Sequence, residues 1–277
     1  MNIISQTVPL QYDTAFSPYA AAEWEAAFLD VARKGFTGVE IAVAYPDAVD
    51  AARVAAEAEK HALAITTIST GQVYALEGVY FTAQDAEKRA RARDIIRGHI
   101  DLSAQIGFPP VTIGLIRGKL EPPDKAALLA ELRESLLPLC VYAAEKGVML
   151  QLEPINKDET VFLNSMDECL DFLKTLGDPA SLGILYDTHH SYLEDASMTA
   201  AIRAAKGRIT NVHLSDSHRG LPGEGAIDFR AVIDTLTEIG YTGAIALETL
   251  CVPSREHVLE NYASVRGMLF NNGGGKI

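Results

Sequence analysis

Eight times along the chain, a short run rich in valine, isoleucine and leucine gives way to a longer amphipathic segment. That alternation constrains the fold more than any other feature. A strand that is followed by a helix re-enters its sheet in the same direction, so repeated units build a parallel sheet with helices outside it. The apolar runs occupy residues 3–8, 38–43, 63–68, 111–115, 148–153, 182–187, 209–213 and 244–248. Helices are expected over residues 22–34, 46–61, 85–106, 125–146, 165–176, 197–205, 228–239 and 253–270. Gly35, Gly107 and Gly147 fall where helices should stop, and Ser165 and Asp228 where they should start. Pro46 is expected to open the second helix at its first turn. Pro122 and Pro123 sit just ahead of the helix that begins at Lys125, where they do no harm. The loop over residues 69–82 carries Tyr74, Tyr80 and Phe81 and is long for its type, as a segment that covers a site or moves would be. The glycine-rich tail over residues 271–277 is expected to fray.

No linker or shift in composition interrupts these units, so residues 1–277 are expected to form one α/β domain. Eight units in a chain of this length predict a closed (β/α)8 TIM barrel. An open doubly wound sheet would carry a glycine-rich phosphate turn after its first strand, and none follows Val8.

The formal net charge of −13 argues against a nucleic-acid partner, which would demand a basic footprint, and remains compatible with a small polar ligand. Cys140, Cys169 and Cys251 are scattered and form no paired motif, so they read as small apolar residues in a reducing compartment. The first residues lack the basic-then-apolar build of a signal peptide, and no apolar run reaches the ~20 residues of a membrane span. A cytoplasmic protein with no membrane partner is expected.

Function is concentrated in the second half. Its four strands end on Glu153, Asp187, His213 and Glu248. In a barrel the C-terminal strand ends gather on one rim, which is where sites are built. Alternation puts Gln151 on the face of Glu153 and Asn211 on the face of His213. Such polar pairs suit a wet inner pocket and would be costly under the outer helices. An unrelated ion pair or cap would account for one such strand end, but hardly for four in succession. Two glutamates, an aspartate and one imidazole form an oxygen-rich set. It suits a divalent ion such as Mn2+, Mg2+ or Co2+, with Zn2+ also compatible. Glu159, His189, His190 and Arg219 follow in the adjoining loops. An arginine and a histidine beside such an ion would bind hydroxyls and stabilise a developing enolate. Alone, Arg219 reads equally as a surface ion pair, and either histidine as a helix cap.

The chain resembles the xylose-isomerase-like barrels, and within them the ketose 3-epimerase and hydroxypyruvate isomerase branch. The resemblance is carried by Leu152-Glu153-Pro154-Ile155-Asn156 with Glu159, Thr160 and Asn164, and by Leu185-Tyr186-Asp187-Thr188-His189-His190. It continues in residues 212–219 with Pro222-Gly223-Glu224-Gly225, and in residues 240–248. Residues 35–40 and 99–102 extend it less specifically through the first half. It implies one divalent ion per chain, Mn2+ by preference, held by Glu153, Asp187, His213 and Glu248. It further implies that Glu153 and Glu248 serve as acid and base on opposite faces of a sugar or sugar-like substrate. Glu159, His190 and Arg219 would bind the substrate oxygens, and assembly as a homodimer or homotetramer is implied as well. Lys157 and Asp158 depart from the epimerase pattern, which carries an arginine and an aromatic residue there.

Returning the proton to the opposite face gives C3 epimerisation of a ketose or ketose phosphate. Returning it to the neighbouring carbon gives aldose–ketose isomerisation. Loss of a hydroxyl instead would make a dehydratase of the inosose or dehydroshikimate type, against which Arg219 and residues 222–225 weigh. Apurinic endonucleases share the barrel but draw histidine ligands from earlier strands, which this first half does not offer. A binding protein without catalysis would have no need of both glutamates.

Overall fold

The structure is a computed structural model that describes residues 3–118 and 124–270. Its strands are β1 (Ile4–Pro9), β2 (Gly38–Ala42), β3 (Ala64–Ser69), β4 (Val111–Ile113), β5 (Leu150–Leu152), β6 (Leu182–Asp187), β7 (Ile209–Leu214) and β8 (Ala244–Leu247). Each pairs in parallel with the next, and β8 pairs with β1, so the sheet closes into a barrel. The helices are α1 (Trp24–Arg33), α2 (Ala51–Lys60), α3 (Gln72–Glu77), α4 (Ala86–Gln105), α5 (Lys125–Lys146), α6 (Met166–Thr175), α7 (Thr188–Glu194), α8 (Met198–Ala204), α9 (Phe229–Glu238) and α10 (Arg255–Phe270). The expected TIM barrel is the fold observed.

Two chemically different layers make up its core. Val39, Ile41, Ile68, Ile113, Ile184 and Val212 join helix residues such as Phe28, Val31, Ile96 and Leu136 in one buried cluster. Each such side chain stabilises the barrel by roughly 1.5–3 kcal/mol. The lumen is polar. Hydrogen bonds between strands that are not neighbours must cross it, among them those of Glu40 with His213, Thr67 with Asn211, and Gln151 with Thr67. Gly183 lets Thr210 reach Gln151 across β6, since a Cβ there would collide with the threonine.

Local chemistry redraws several expected boundaries. Pro46 opens only a 3-10 turn, Pro46–Ala48, and Val49 then runs extended. A separate helix starts at Ala51 because the Asp50 carboxylate accepts the Arg53 amide. The loop after β3 contains α3, which Gly78 ends in the left-handed conformation at φ +61°. The fourth apolar run splits into β4 and a 3-10 turn, Leu115–Arg117. A helix absent from the sequence reading, α7, starts directly on Asp187. Asp85, Ser165 and Asp228 each accept an amide from the first turn of their helix. Pro122, Pro123 and the tail over residues 271–277 lie outside the described residues. Among the described residues no helix is long and apolar enough to cross a membrane.

Candidate metal centre

The barrel brings the four strand-end residues together. Glu153, Asp187, His213 and Glu248 each offer one ligand atom, all within 4.8 Å of one another. His213 Nδ1 is their meeting point, at 3.2 Å from Glu248 Oε2 and 3.8 Å from both Glu153 Oε1 and Asp187 Oδ2.

How each side chain is spent on its own strand explains this convergence. Asp187 uses Oδ1 to cap α7, accepting the amides of His189 at 2.7 Å and His190 at 3.1 Å. Its Oδ2 is buried and has no hydrogen-bond partner. His213 donates from Nε2 to Glu40 Oε2 at 2.8 Å, leaving a buried Nδ1 that likewise makes no hydrogen bond. Two orphaned polar atoms aimed at one point are a costly arrangement unless a ligand completes it. Three carboxylates and an imidazole nitrogen fit a divalent cation, and the absence of thiolate leaves the set on the hard side. Glu153 follows β5 directly and fits because Gly114 has no side chain; a Cβ there would stand 2.8 Å from Glu153 Oε2. The buried Arg117 guanidinium fastens the Glu153 carbonyl and donates to the Leu163 carbonyl at 3.0 Å.

Burial raises the Glu153 carboxyl to about 8, the Glu248 and Asp187 charges adding to it against His213 and Arg219. Burial would push Asp187 the same way, yet His190, Arg219 and His213 hold it below the ordinary aspartate value. Burial works against charge on His213 too, but the facing carboxylates of Glu40 and Glu248 outweigh it and hold the ring well above its usual range.

Beside the four lies a ring of donors. Arg219 Nη2 donates to Glu248 Oε2 at 2.9 Å and stands 3.7 Å from Asp187 Oδ2, while its Cζ lies 4.8 Å from the Phe16 ring centre. His190 Nδ1 accepts from the backbone amide of Asn156 at 3.3 Å and from its side-chain amide at 2.8 Å. A ring whose Nδ1 accepts carries its proton on Nε2, and burial and Arg219 keep the ring neutral, well below its usual pKa. Arg219 Nη1 lies against the same ring, 3.0 Å from His190 Nε2 and 3.4 Å from its Nδ1. Glu159 is half-buried at the rim and tied to this group by the Asn156 amide at 3.2 Å. Lys157 and Asp158 are exposed, and Lys157 turns outward to Glu194 at 2.7 Å. The departure from the epimerase pattern therefore falls on the outer side of the loop.

The sequence does not single out Asn156 as a support for His190, Arg117 as a clamp, Asp216 as a loop anchor or Glu40 as the partner of His213. Asn156 and Asp216 lie in motifs that carry the resemblance, and Glu40 had a signal of its own, a charge in the middle of an apolar run.

Residues 28–267 match the family described as the xylose isomerase-like TIM barrel. The chain belongs to that family. Among its curated relatives, an L-ribulose 3-epimerase of Mesorhizobium japonicum is 31% identical over 255 residues, 87% of this chain and 80% of its own. A solved D-allulose 3-epimerase from Methylomonas sp., in complex with D-allulose, is 26% identical with a TM-score of 0.78, covering 96% of this chain and 90% of that one. A structure of L-ribulose 3-epimerase shares the fold at TM-score 0.83 with 24% identity, each chain covered in full. This family member is thus related to isomerases that invert a ketose centre.

Proposed function

We propose that the protein is a divalent-metal-dependent ketose 3-epimerase, with Glu153, Asp187, His213 and Glu248 as ion ligands and Glu153 and Glu248 also as acid and base. The observation that carries this reading is two glutamates sharing one unsatisfied ligand cluster beside Arg219 and His190. The names of the relatives point the same way.

A proton beside a ketone is only weakly acidic. A bound divalent ion would stabilise the negative charge that develops on the ketone oxygen when that proton leaves. The protein's own residues would do the rest. Arg219 Nη1 and His190 Nε2 lie 3.0 Å apart beside the four ligands, where both would donate to a substrate oxygen. Asn156 fixes the ring in the donating tautomer. Glu159 would accept from a substrate hydroxyl at the rim. One glutamate would take the proton from one face, and the other would deliver one to the opposite face, inverting the centre. Mn2+ is the ion we favour, with Mg2+, Co2+ and Zn2+ as alternatives within the donor set.

Incubation of the Mn2+-loaded protein with a panel of ketoses, keto acids and their phosphates in D2O tests this by NMR. We expect deuterium at C3 together with the C3 epimer. An aldose product would assign the isomerase reaction, and loss of water the dehydratase. No exchange with any compound, despite stoichiometric bound ion, would overturn the reading.

A further inference from the structure

Every residue of the candidate centre comes from the second half of the barrel, yet one carboxylate from the first half reaches it. Glu40 lies on β2 and is fully buried. Its Oε2 accepts from His213 Nε2 at 2.8 Å, across the lumen from a strand that β2 does not pair with. The Ser69 hydroxyl of β3 donates to its Oε1. Thr7 Oγ1 of β1 and Asn211 Nδ2 of β7 approach its two oxygens at 3.5 Å. Its carboxylate is thus fixed by four side chains from three other strands, and no lysine or arginine is paired with it among the described residues. A buried carboxylate whose one counterpart of opposite charge is an imidazole is expensive to keep. A hydrophobic residue in its place would give a conventional barrel lumen.

We propose that Glu40 is a positioning residue that sets the tautomer and orientation of His213, so that Nδ1 presents a lone pair to the cation site. An imidazole has two nitrogens, and the one that carries the proton is fixed by its partner. With Nε2–H held by Glu40, Nδ1 is the nitrogen that gives up its proton to a cation and then faces Glu153, Asp187 and Glu248 as an acceptor. Without Glu40, a ring that has lost one proton could keep the other on Nδ1, pointing at the place a cation must occupy. A carboxylate on the far nitrogen also makes the near one a stronger donor to a metal, and such partners typically govern affinity by roughly 10- to 100-fold. The first half of the barrel thereby contributes to the centre through a hydrogen bond instead of a ligand.

This inference rests on the metal-centre reading above, and the test separates the two. Mn2+ binding to the full chain is measured by isothermal titration calorimetry for wild type and Glu40→Gln, with the thermal midpoint in EDTA as the control for folding. Glutamine keeps the size and an acceptor oxygen but not the charge. We expect Mn2+ affinity to fall by roughly 10- to 100-fold. A purely structural role would lower the EDTA midpoint and leave affinity within about twofold, and that result overturns the proposal. The tautomer is read independently in wild-type protein labelled with 15N-histidine and loaded with Zn2+. Nε2 should carry the proton while Nδ1 shows the coordination shift, and coordination through Nε2 would overturn the proposal even if Glu40→Gln cannot be folded. Wild type that binds neither ion would overturn the metal reading along with it, whereas unchanged binding in Glu40→Gln removes this inference alone.

Discussion

Glu153 and Glu248 face the same cluster from unequal environments. Glu248 is partly exposed and held by Arg219 Nη2 at 2.9 Å, whereas burial and neighbouring charge raise Glu153 to about 8. Two carboxyls with different surroundings are what an acid–base pair needs in order to hold different protonation states. Glu153→Gln and Glu248→Gln each keep one ligand oxygen and remove the ability to exchange a proton. Each is expected to lower kcat by at least about 10^3-fold, toward the top of the range for acid–base residues. Steady-state kinetics with the bound ion quantified in the same preparation checks this. Substantial turnover by either ion-loaded variant would sink the two-base assignment.

The elements that present these side chains owe their shape to a few acidic caps. Asp216 is fully buried in the loop after β7, and its carboxylate accepts the amides of Ser217, Gly223, Gly225 and Ile227 at 2.7–3.1 Å. Burial works against its charge, but these amides outweigh it and lower its pKa. The loop so formed holds Arg219 at φ +62°, and its carbonyl accepts the Leu250 amide at 2.8 Å beside β8. Asp216→Ala should therefore cost about 2–4 kcal/mol in a denaturant titration, the range for a buried charged acceptor with several donors. It should also raise KM as Arg219 loses its fixed approach. An unchanged KM in a folded variant would separate the loop's integrity from substrate binding. The eight strand–helix units were legible in the sequence because each depends on many residues that agree. The short pieces were not, since α2 and α7 start where single carboxylates, Asp50 and Asp187, accept amides. The four strand-end residues were legible because a barrel gathers strand ends. Glu40 was not legible as a partner, since the residue that explains it lies 173 positions away on a strand across the lumen.

On the scale of the whole molecule, a chain of net charge −13 closes its barrel around three carboxylates that share one unsatisfied centre. Without a metal ion, the charge that Arg219 leaves uncompensated is lowered by holding protons. Glu153 does so up to about 8, and His213 is held protonated well above the usual histidine range. Both folded pKa values are raised, so both groups favour the metal-free fold most below their unfolded values. That stability is lost as pH rises through the folded values. Asp187 is shifted down instead, and the stability it lends is lost only on acidification below the ordinary aspartate range. The metal-free thermal midpoint should accordingly fall as pH rises from about 5 to about 8. A divalent ion must displace the same protons to bind, so its affinity increases over that window. The stabilisation it confers follows RT ln(1 + [L]/Kd) and must increase as well. Thermal midpoints in EDTA and in saturating Mn2+ should therefore diverge with pH, the gap being widest at the alkaline end. Calorimetric binding at neutral pH, in buffers of different ionisation enthalpy, should register protons released per ion bound. A gap that stays constant or narrows with pH, with no proton release, would mean that the carboxylates are already ionised without the cation. The need for a cation to complete the barrel would then lose its physical basis.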